Sequence, residues 1–285
     1  MKYLKNNFAT GLTLLAIIGL IFETFIAHNL IINENLIVRA LSSYLISYLA
    51  FKISFVETKK VALMFVPLIF HSLIVALVVR GGFSSKIPND MVRIITNLYR
   101  LIVMVGIFFI IELILNRIFG SLVTSILGGL SFLIFLAIIF SNRLSVLKNF
   151  EDFFLYFSFY VMAIRIRSAL RLNPFLLFIA IVLVVGEIYL QKTYLKYDYG
   201  FLLSIYPLVY FSLKTISNEH SFCLLDYMLF ALIYIYPALF VIIKTSFDIE
   251  SLAISIIGIL ASYILGEVIY KIKNTYLSTL ILGIS

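Results

Sequence analysis

The sequence predicts an all-α protein built as a polytopic transmembrane helix bundle. Of its 285 residues, 63% are hydrophobic and 13% are charged, whereas a soluble domain is roughly half apolar and about a quarter charged. Apolar runs of about 17 to 25 residues, long enough to cross a hydrocarbon core of roughly 30 Å, recur along the whole chain. These runs are continuous rather than alternating, which favours helices over a barrel. We therefore predict one integral membrane domain over residues 1–285, with short loops and no soluble domain.

About ten spans account for the apolar runs in chain order. Their predicted bounds are Phe8–Asn29, Leu36–Val56, Val61–Val79, Asn97–Leu115, Ile118–Phe140, Phe153–Ile166, Phe175–Leu190, Phe201–Ile216, Phe222–Ile243 and Leu252–Tyr270. The first span follows Lys2 and Lys5 as a signal peptide would, but it is long and has no convincing small-residue cleavage site. We expect it to be retained as a helix.

Helix-breaking residues fall inside four of the predicted spans, namely Pro67, Pro207, Pro237 and the pair Gly128 and Gly129. In transporters, interrupted helices expose carbonyl groups and helix ends that bind ions or substrates near the bilayer midplane. Proline and glycine are also common and tolerated in ordinary membrane helices. Tolerance is the more frequent explanation, so these residues alone do not define a site.

The formal net charge of +8 is explained by basic residues at the membrane flanks. They are scattered over the loops and do not form the stripe that a nucleic-acid-binding surface requires. The basic loop Arg165–Arg171, "RIRSALR", favours a cytoplasmic position for both termini, and Arg39 is interpreted as interfacial. The predicted location is the plasma membrane or a bacterial inner membrane, with membrane lipids as the surrounding partners.

Five acidic residues lie within the apolar spans: Glu23, Glu112, Glu187, Asp226 and Glu267. A charged side chain at the bilayer centre costs at least about 2.5 to 3.5 kcal/mol on insertion scales, so each should face protein or water and have a partner. Buried carboxylates in membrane helices serve ion or proton coupling in transport, or acid and base chemistry on a lipid-linked substrate. The alternative without a function is a set of hydrogen bonds between helices.

Two of these acids follow a glycine in similar phrases, "VVGEIYLQKTYL" around Glu187 and "ILGEVIYKIKNTYL" around Glu267. The second phrase ends a row of small residues at helical spacing, Ser251, Ser255, Gly258, Ser262 and Gly266, which predicts close packing against another helix. Tyr263 stands four residues before Glu267, so a contact between the two side chains is feasible. His71, four residues after Pro67, is a further candidate for proton or substrate contact.

No cofactor or metal site is predicted. The histidines His28, His71 and His220 are widely separated, and the single Cys223 cannot form an internal disulfide. No phosphate-binding loop, H-E-x-x-H or G-x-S-x-G motif occurs. We assign no catalytic residue, and whether the protein is an enzyme stays open.

The favoured function is a transporter or flippase for a small solute or a lipid-linked precursor, with Glu187 and Glu267 as the leading coupling or substrate-contact residues. Ten short-looped helices resemble the plan of drug/metabolite-type transporters, although their internal five-helix duplication is not visible. The second alternative is a membrane acyltransferase of cell-envelope glycans or lipids. The third is a non-catalytic subunit that depends on membrane protein partners.

The acyltransferase alternative rests on two stretches that resemble membrane acyltransferases of the cell envelope. These are "RALSSYLISY" (Arg39–Tyr48) and "ILASYILGEVIYKIKN" (Ile259–Asn274), about a tenth of the chain. That family has an early arginine and histidine in its first span. Here His28 comes late and no arginine precedes it in that span, so no active-site residue is carried over.

Overall fold

The structure is a computed structural model that describes residues 2–22, 34–54, 58–78, 89–140, 147, 149–166, 213, 224–246, 250–272 and 275–283. Over these ranges the chain is helical and has no strand, which confirms the predicted all-α class. The helices are α1 (Lys2–Ile21), α2 (Glu34–Ile53), α3 (Thr58–Leu63), α4 (Val66–Val78), α5 (Asn89–Phe119), α6 (Ser121–Phe140), α7 (Glu151–Ile166), α8 (Leu224–Ser246), α9 (Ser251–Ile272) and α10 (Thr275–Leu282).

Four of the described helices are long and apolar enough to cross a membrane. They are α5, α6, α8 and α9. Their sufficiently long apolar stretches are Val92–Phe119, Ser121–Ile138, Asp226–Lys244 and Leu252–Ile272. The prediction of about ten spans is therefore not supported. The four helices correspond to the predicted fourth, fifth, ninth and tenth spans.

The other predicted spans are described only in part or are interrupted. Helix α1 covers the predicted first span to Ile21, and residues 23–33 lie outside the described residues. Helix α2 includes Glu34, Arg39 and Lys52, and α7 has only 16 residues with charges at both ends. The predicted third span is divided between α3 and α4. The predicted seventh span lies outside the described residues, and so does the eighth except for Leu213.

The helix interruption occurs at Met64 and Phe65, where the chain makes tight turn bonds from Met64 N–H to Val61 O (3.1 Å) and from Phe65 N–H to Ala62 O (3.2 Å). Pro67 lies two residues after Phe65. Because proline has no N–H, it cannot donate the backbone hydrogen bond that would continue the helix. By contrast, α8 continues through Pro237 and α6 continues through the Gly128 and Gly129 pair. Pro207 lies outside the described residues.

The chain divides into two compact units. The first comprises Met1–Ala9, Phe22–Ser54 and Val103–Asn218, and the second comprises Thr10–Ile21, Phe55–Ile102 and Glu219–Ser285. The expectation of a single integral membrane domain stays a prediction.

In the first unit α7 packs against both α2 and α6. Phe108 of α5 is fully buried among aromatic rings of α7, with ring centroids 5.2 Å from Phe153, 5.4 Å from Phe157 and 5.6 Å from Tyr160. Gly128 of α6 lies directly against Val161, since a Cβ atom at Gly128 would come within 2.6 Å of the valine Cγ1. Burial of these apolar and aromatic side chains places α7 at the centre of the unit.

In the second unit α8 is the central helix and packs against α4, α9 and α10. Its residues 229–238 are all buried. The row of small residues on α9 faces it as predicted: Gly258 lies under Tyr236, and a Cβ at Gly266 would come within 3.0 Å of Tyr227 O and 3.1 Å of Met228 Cα. Small side chains thus let the two helix backbones approach closely.

Candidate functional site

Glu112 lies in the stretch of α5 that is long and apolar enough to cross a membrane, and its carboxylate accepts hydrogen bonds from two side chains. The Tyr160 hydroxyl of α7 donates to Glu112 Oε2 at 2.9 Å. One turn along α5, Asn116 Nδ2 donates to Glu112 Oε1 at 3.1 Å. The bonds reach Thr124 of α6, whose hydroxyl donates to Asn116 Oδ1 at 2.7 Å. We call Glu112, Asn116, Thr124 and Tyr160 the Glu112 cluster.

Gly120 forms the turn between α5 and α6 that places Thr124 beside Asn116. It is the only residue between α5 and α6, and its φ of +82° lies in the left-handed region that favours glycine. Its N–H donates to Asn116 O at 3.2 Å and closes the last turn of α5. Arg165 Nη2 of α7 donates to the backbone carbonyl of Ser121 at the start of α6. The cluster is therefore held by backbone contacts at the α5–α6 junction.

The cluster contains one acidic group and three neutral ones. Both carboxylate oxygens of Glu112 accept hydrogen bonds from neutral donors, an arrangement that satisfies the ionised form. Tyr160 is 0% exposed and Thr124 is 1% exposed. Among the described residues Glu112 forms no ion pair. The carboxylate of Glu112 therefore has hydrogen-bond donors but no cationic partner within the described part of the chain.

A second polar group in the same unit joins α2 to the first turn of α7. Arg39 Nη1 lies 2.9 Å from Glu151 Oε1, and Arg39 Nε lies 2.8 Å from Asp152 Oδ1. The side chains are 23%, 7% and 22% exposed in the order Arg39, Glu151, Asp152. Acids in the first turn also interact favourably with the helix dipole. The interpretation of Arg39 as interfacial missed that it bridges two helices.

The two polar groups are connected along α7. Asp152, Tyr156 and Tyr160 are spaced four residues apart, which places them along one side of the helix over about 12 Å. Tyr156 and Tyr160 are both buried. One side of α7 therefore carries polar atoms from the Arg39 ion pairs to Glu112.

The other predicted residues that the structure describes fall in the second unit. Glu267 pairs with Lys271 at 2.7 Å near the end of α9, and its side chain is 41% exposed. In the described structure it does not bond to Tyr263. Asp226 is fully buried in the first turn of α8 and has interactions of its own. Glu23 and Glu187 lie outside the described residues.

His71 is a buried packing residue in the same second unit. It is 5% exposed, and its ring is stacked on Tyr234 with 6.3 Å between centroids. Its Nε2 lies 3.2 Å from Ile281 O, and because a carbonyl can only accept, Nε2 is the donor. Nδ1 is buried with no hydrogen-bond partner among the described residues. The Tyr234 hydroxyl in turn donates to Met64 O at 2.6 Å, at the helix interruption.

Sequence reasoning selected Glu112 but missed its partners. Asn116 follows it by four residues and could have been found from helical spacing alone. Tyr160 is 48 residues away, and nothing local distinguishes it from the other tyrosines. The acids of the second polar group, Glu151 and Asp152, were missed because they lie just before the predicted sixth span.

Among the residues that the structure describes, no three His, Cys, Asp or Glu side chains gather as a metal site. Four helices of suitable length and composition make the chain consistent with a membrane protein. Comparisons with protein families, curated proteins and solved structures found no match. The functional conclusion therefore rests on the geometry of this chain.

Proposed function

We propose that this protein is a secondary transporter or flippase of the plasma membrane or a bacterial inner membrane, with both termini in the cytoplasm. It moves a small solute or a lipid-linked precursor, and Glu112 binds the cation whose gradient drives the movement. The single observation that carries the proposal is the carboxylate of Glu112, in a membrane helix, held by the neutral donors Tyr160 and Asn116.

Coupling requires a group that is stable with and without its cation. Tyr160 and Asn116 stabilise the cation-free carboxylate by hydrogen bonds, and a bound cation would neutralise it. Acidic residues inside membrane bundles serve this purpose in pumps and transporters. Three helices contribute to the cluster, so a change in the charge of Glu112 would alter the contacts of α5 with both α6 and α7.

The proposal favours Glu112 over Glu267 as the coupling residue. Glu267 is 41% exposed, and its carboxylate is already paired with the cation Lys271 four residues away. Glu187 stays an untested candidate, because it lies outside the described residues.

The proposal predicts gradient-driven uptake in sealed vesicles. Purified protein in proteoliposomes should take up or flip its substrate, found by screening labelled solutes and fluorescent lipids, when a proton or sodium gradient is imposed. Glu112→Gln, which keeps the shape but removes the charge, should lower the gradient-driven rate at least tenfold. Glu250→Gln, an exposed acid just before α9, is the matched control and should retain the wild-type rate.

Two results would contradict the proposal. Gradient-driven uptake by Glu112→Gln at the rate of the control would remove Glu112 from coupling. Acyl transfer by the detergent-solubilised protein, with no transport in vesicles, would instead support the acyltransferase alternative.

A further inference from the structure

We infer that the Glu112 cluster binds a monovalent alkali cation in a largely dehydrated form, and sodium is the ion chosen to test it. The inference rests on the proposed function and names its coupling ion. The oxygen atoms come from side chains on α5, α6 and α7: two from Glu112 and one each from Asn116, Thr124 and Tyr160.

The chemistry of these atoms selects hard cations. Carboxylate, amide, hydroxyl and phenol oxygens suit alkali and alkaline-earth ions, whereas softer transition metals prefer imidazole and thiolate ligands. None of the four residues of the Glu112 cluster is a histidine or a cysteine. The donor set therefore excludes a zinc-type or copper-type site.

The charge of the cluster selects a monovalent ion. Glu112 is the one carboxylate of the cluster, and the guanidinium of Arg165 already contacts the adjacent junction at Ser121 O. A divalent ion would therefore add more positive charge than the carboxylate can balance, which favours a monovalent ion. Such residual charges are costly where the dielectric constant is low. Glu112 stands seven residues before the end of the span at Phe119, which is about 10 Å along the helix axis. An ion at that depth would exchange most of its water for protein oxygens.

The same side chains can satisfy the site with and without the ion. Without it, Asn116 Nδ2 donates to Glu112 while Asn116 Oδ1 accepts from Thr124. Rotation of the amide by about 180° would turn Oδ1 toward Glu112 and Nδ2 toward the Thr124 hydroxyl, which can accept as well as donate. Asn116 would then change from donor to ligand, and Tyr160 would continue to orient the carboxylate.

The experiment measures cation binding without a transport substrate. The full-length protein in detergent is heated in sodium, potassium or choline chloride at equal ionic strength and fixed pH, and ²²Na⁺ binding is measured in parallel. A ligand that binds only the folded state raises the midpoint of unfolding in a saturable manner. Wild type and Glu250→Gln should show a saturable rise in sodium chloride over choline chloride.

Variants of the cluster identify the site. Glu112→Gln should lose the sodium-specific rise and ²²Na⁺ binding. Thr124→Val, which keeps the side-chain shape but removes one oxygen, should weaken ²²Na⁺ binding at least tenfold. If Thr124→Val does not fold, Tyr160→Phe takes its place. It keeps the ring in the aromatic core, removes the phenol oxygen, and should likewise weaken ²²Na⁺ binding.

Two results would overturn the inference. The first is the absence of sodium-specific stabilisation and ²²Na⁺ binding in the wild type. The second is binding that persists in Glu112→Gln. If uptake still depends on Glu112 and on a proton gradient while no sodium binds, the ion is a proton, and the proposed function stands although this inference fails. If sodium binds at Glu112 but drives no transport, the proposed function fails and the cation site stands.

Discussion

Tyr160 and Asn116 hold the carboxylate of Glu112 in place, because each donates a hydrogen bond to a different carboxylate oxygen. Neither donor carries a charge, so the carboxylate has hydrogen-bond partners but no counter-ion among the described residues. Glu267, in contrast, pairs with the cation Lys271. The two glutamates therefore differ in the charge of their partners.

The glycines of α6 provide a test of packing at the scale of single residues. A Cβ at Gly128 would lie 2.6 Å from Val161 Cγ1, whereas a Cβ at the adjacent Gly129 would have no atom within 4 Å. In a helix interior, alanine is favoured over glycine by roughly 1 kcal/mol. Gly129→Ala should therefore be neutral or stabilising, whereas Gly128→Ala should destabilise by about 1 to 3 kcal/mol through overpacking.

Thermal unfolding of the purified variants in detergent checks this pair. The double variant Gly128→Ala with Val161→Ala should recover part of the lost stability, because it removes the clashing methyl groups. Equal midpoints for the two single glycine variants would show that α6 and α7 do not pack at Gly128 as described.

At the scale of helices, apolar run length predicted α5, α6, α8 and α9 because those segments are long and carry few charges. It did not predict the division of the predicted third span into α3 and α4. Pro67 and Pro237 looked equivalent in sequence, but Pro67 follows a break at Met64 and Phe65 whereas α8 continues through Pro237. The pairing of α2 with α7 was also missed. It depends on Arg39 meeting acids more than 110 residues away, and such contacts leave no local pattern.

The Arg39 ion pairs should be essential for joining α2 to α7. Arg39→Met leaves Glu151, whose side chain is 7% exposed, without its cation, and breaking a buried ion pair costs about 3 to 5 kcal/mol. The triple variant Arg39→Met, Glu151→Gln, Asp152→Asn should recover most of this loss, because no charge remains unpaired. The readout is the midpoint of unfolding in detergent.

Lys271→Met is the control for the Arg39 variant. It removes the partner of Glu267 from a pair whose side chains are 71% and 41% exposed, and exposed pairs of this kind contribute under about 1 kcal/mol. If Lys271→Met lowers the stability as much as Arg39→Met does, burial of the Arg39 ion pairs is not what makes them important for the fold.

At the scale of the whole molecule, the composition alone indicated a membrane protein, and the four apolar helices agree with it. The prediction of about ten spans is not supported, because within the described residues four helices are long and apolar enough to cross a membrane. The candidate site was predicted in part. Glu112 is one of the five acids that the sequence places in apolar spans, but only the structure shows that Glu112 and Glu267 belong to different compact units.

Fractionation tests the membrane assignment of the intact chain. The four apolar helices should keep the protein in the pellet when membranes are washed with alkaline carbonate, which strips proteins bound only at the surface. A detergent extract should release it. Recovery of the protein in the carbonate supernatant would contradict an integral membrane location.

The most direct test of the central claim compares two modes of transport in the same Glu112→Gln proteoliposomes. Accumulation against a substrate gradient requires net movement of the coupling ion, whereas exchange of labelled for unlabelled substrate at equal concentrations requires no ion gradient. We predict that Glu112→Gln loses accumulation at least tenfold and retains exchange, because the neutral side chain keeps the fold but cannot bind and release a cation. Accumulation at the wild-type rate would contradict the assignment of Glu112 as the coupling residue.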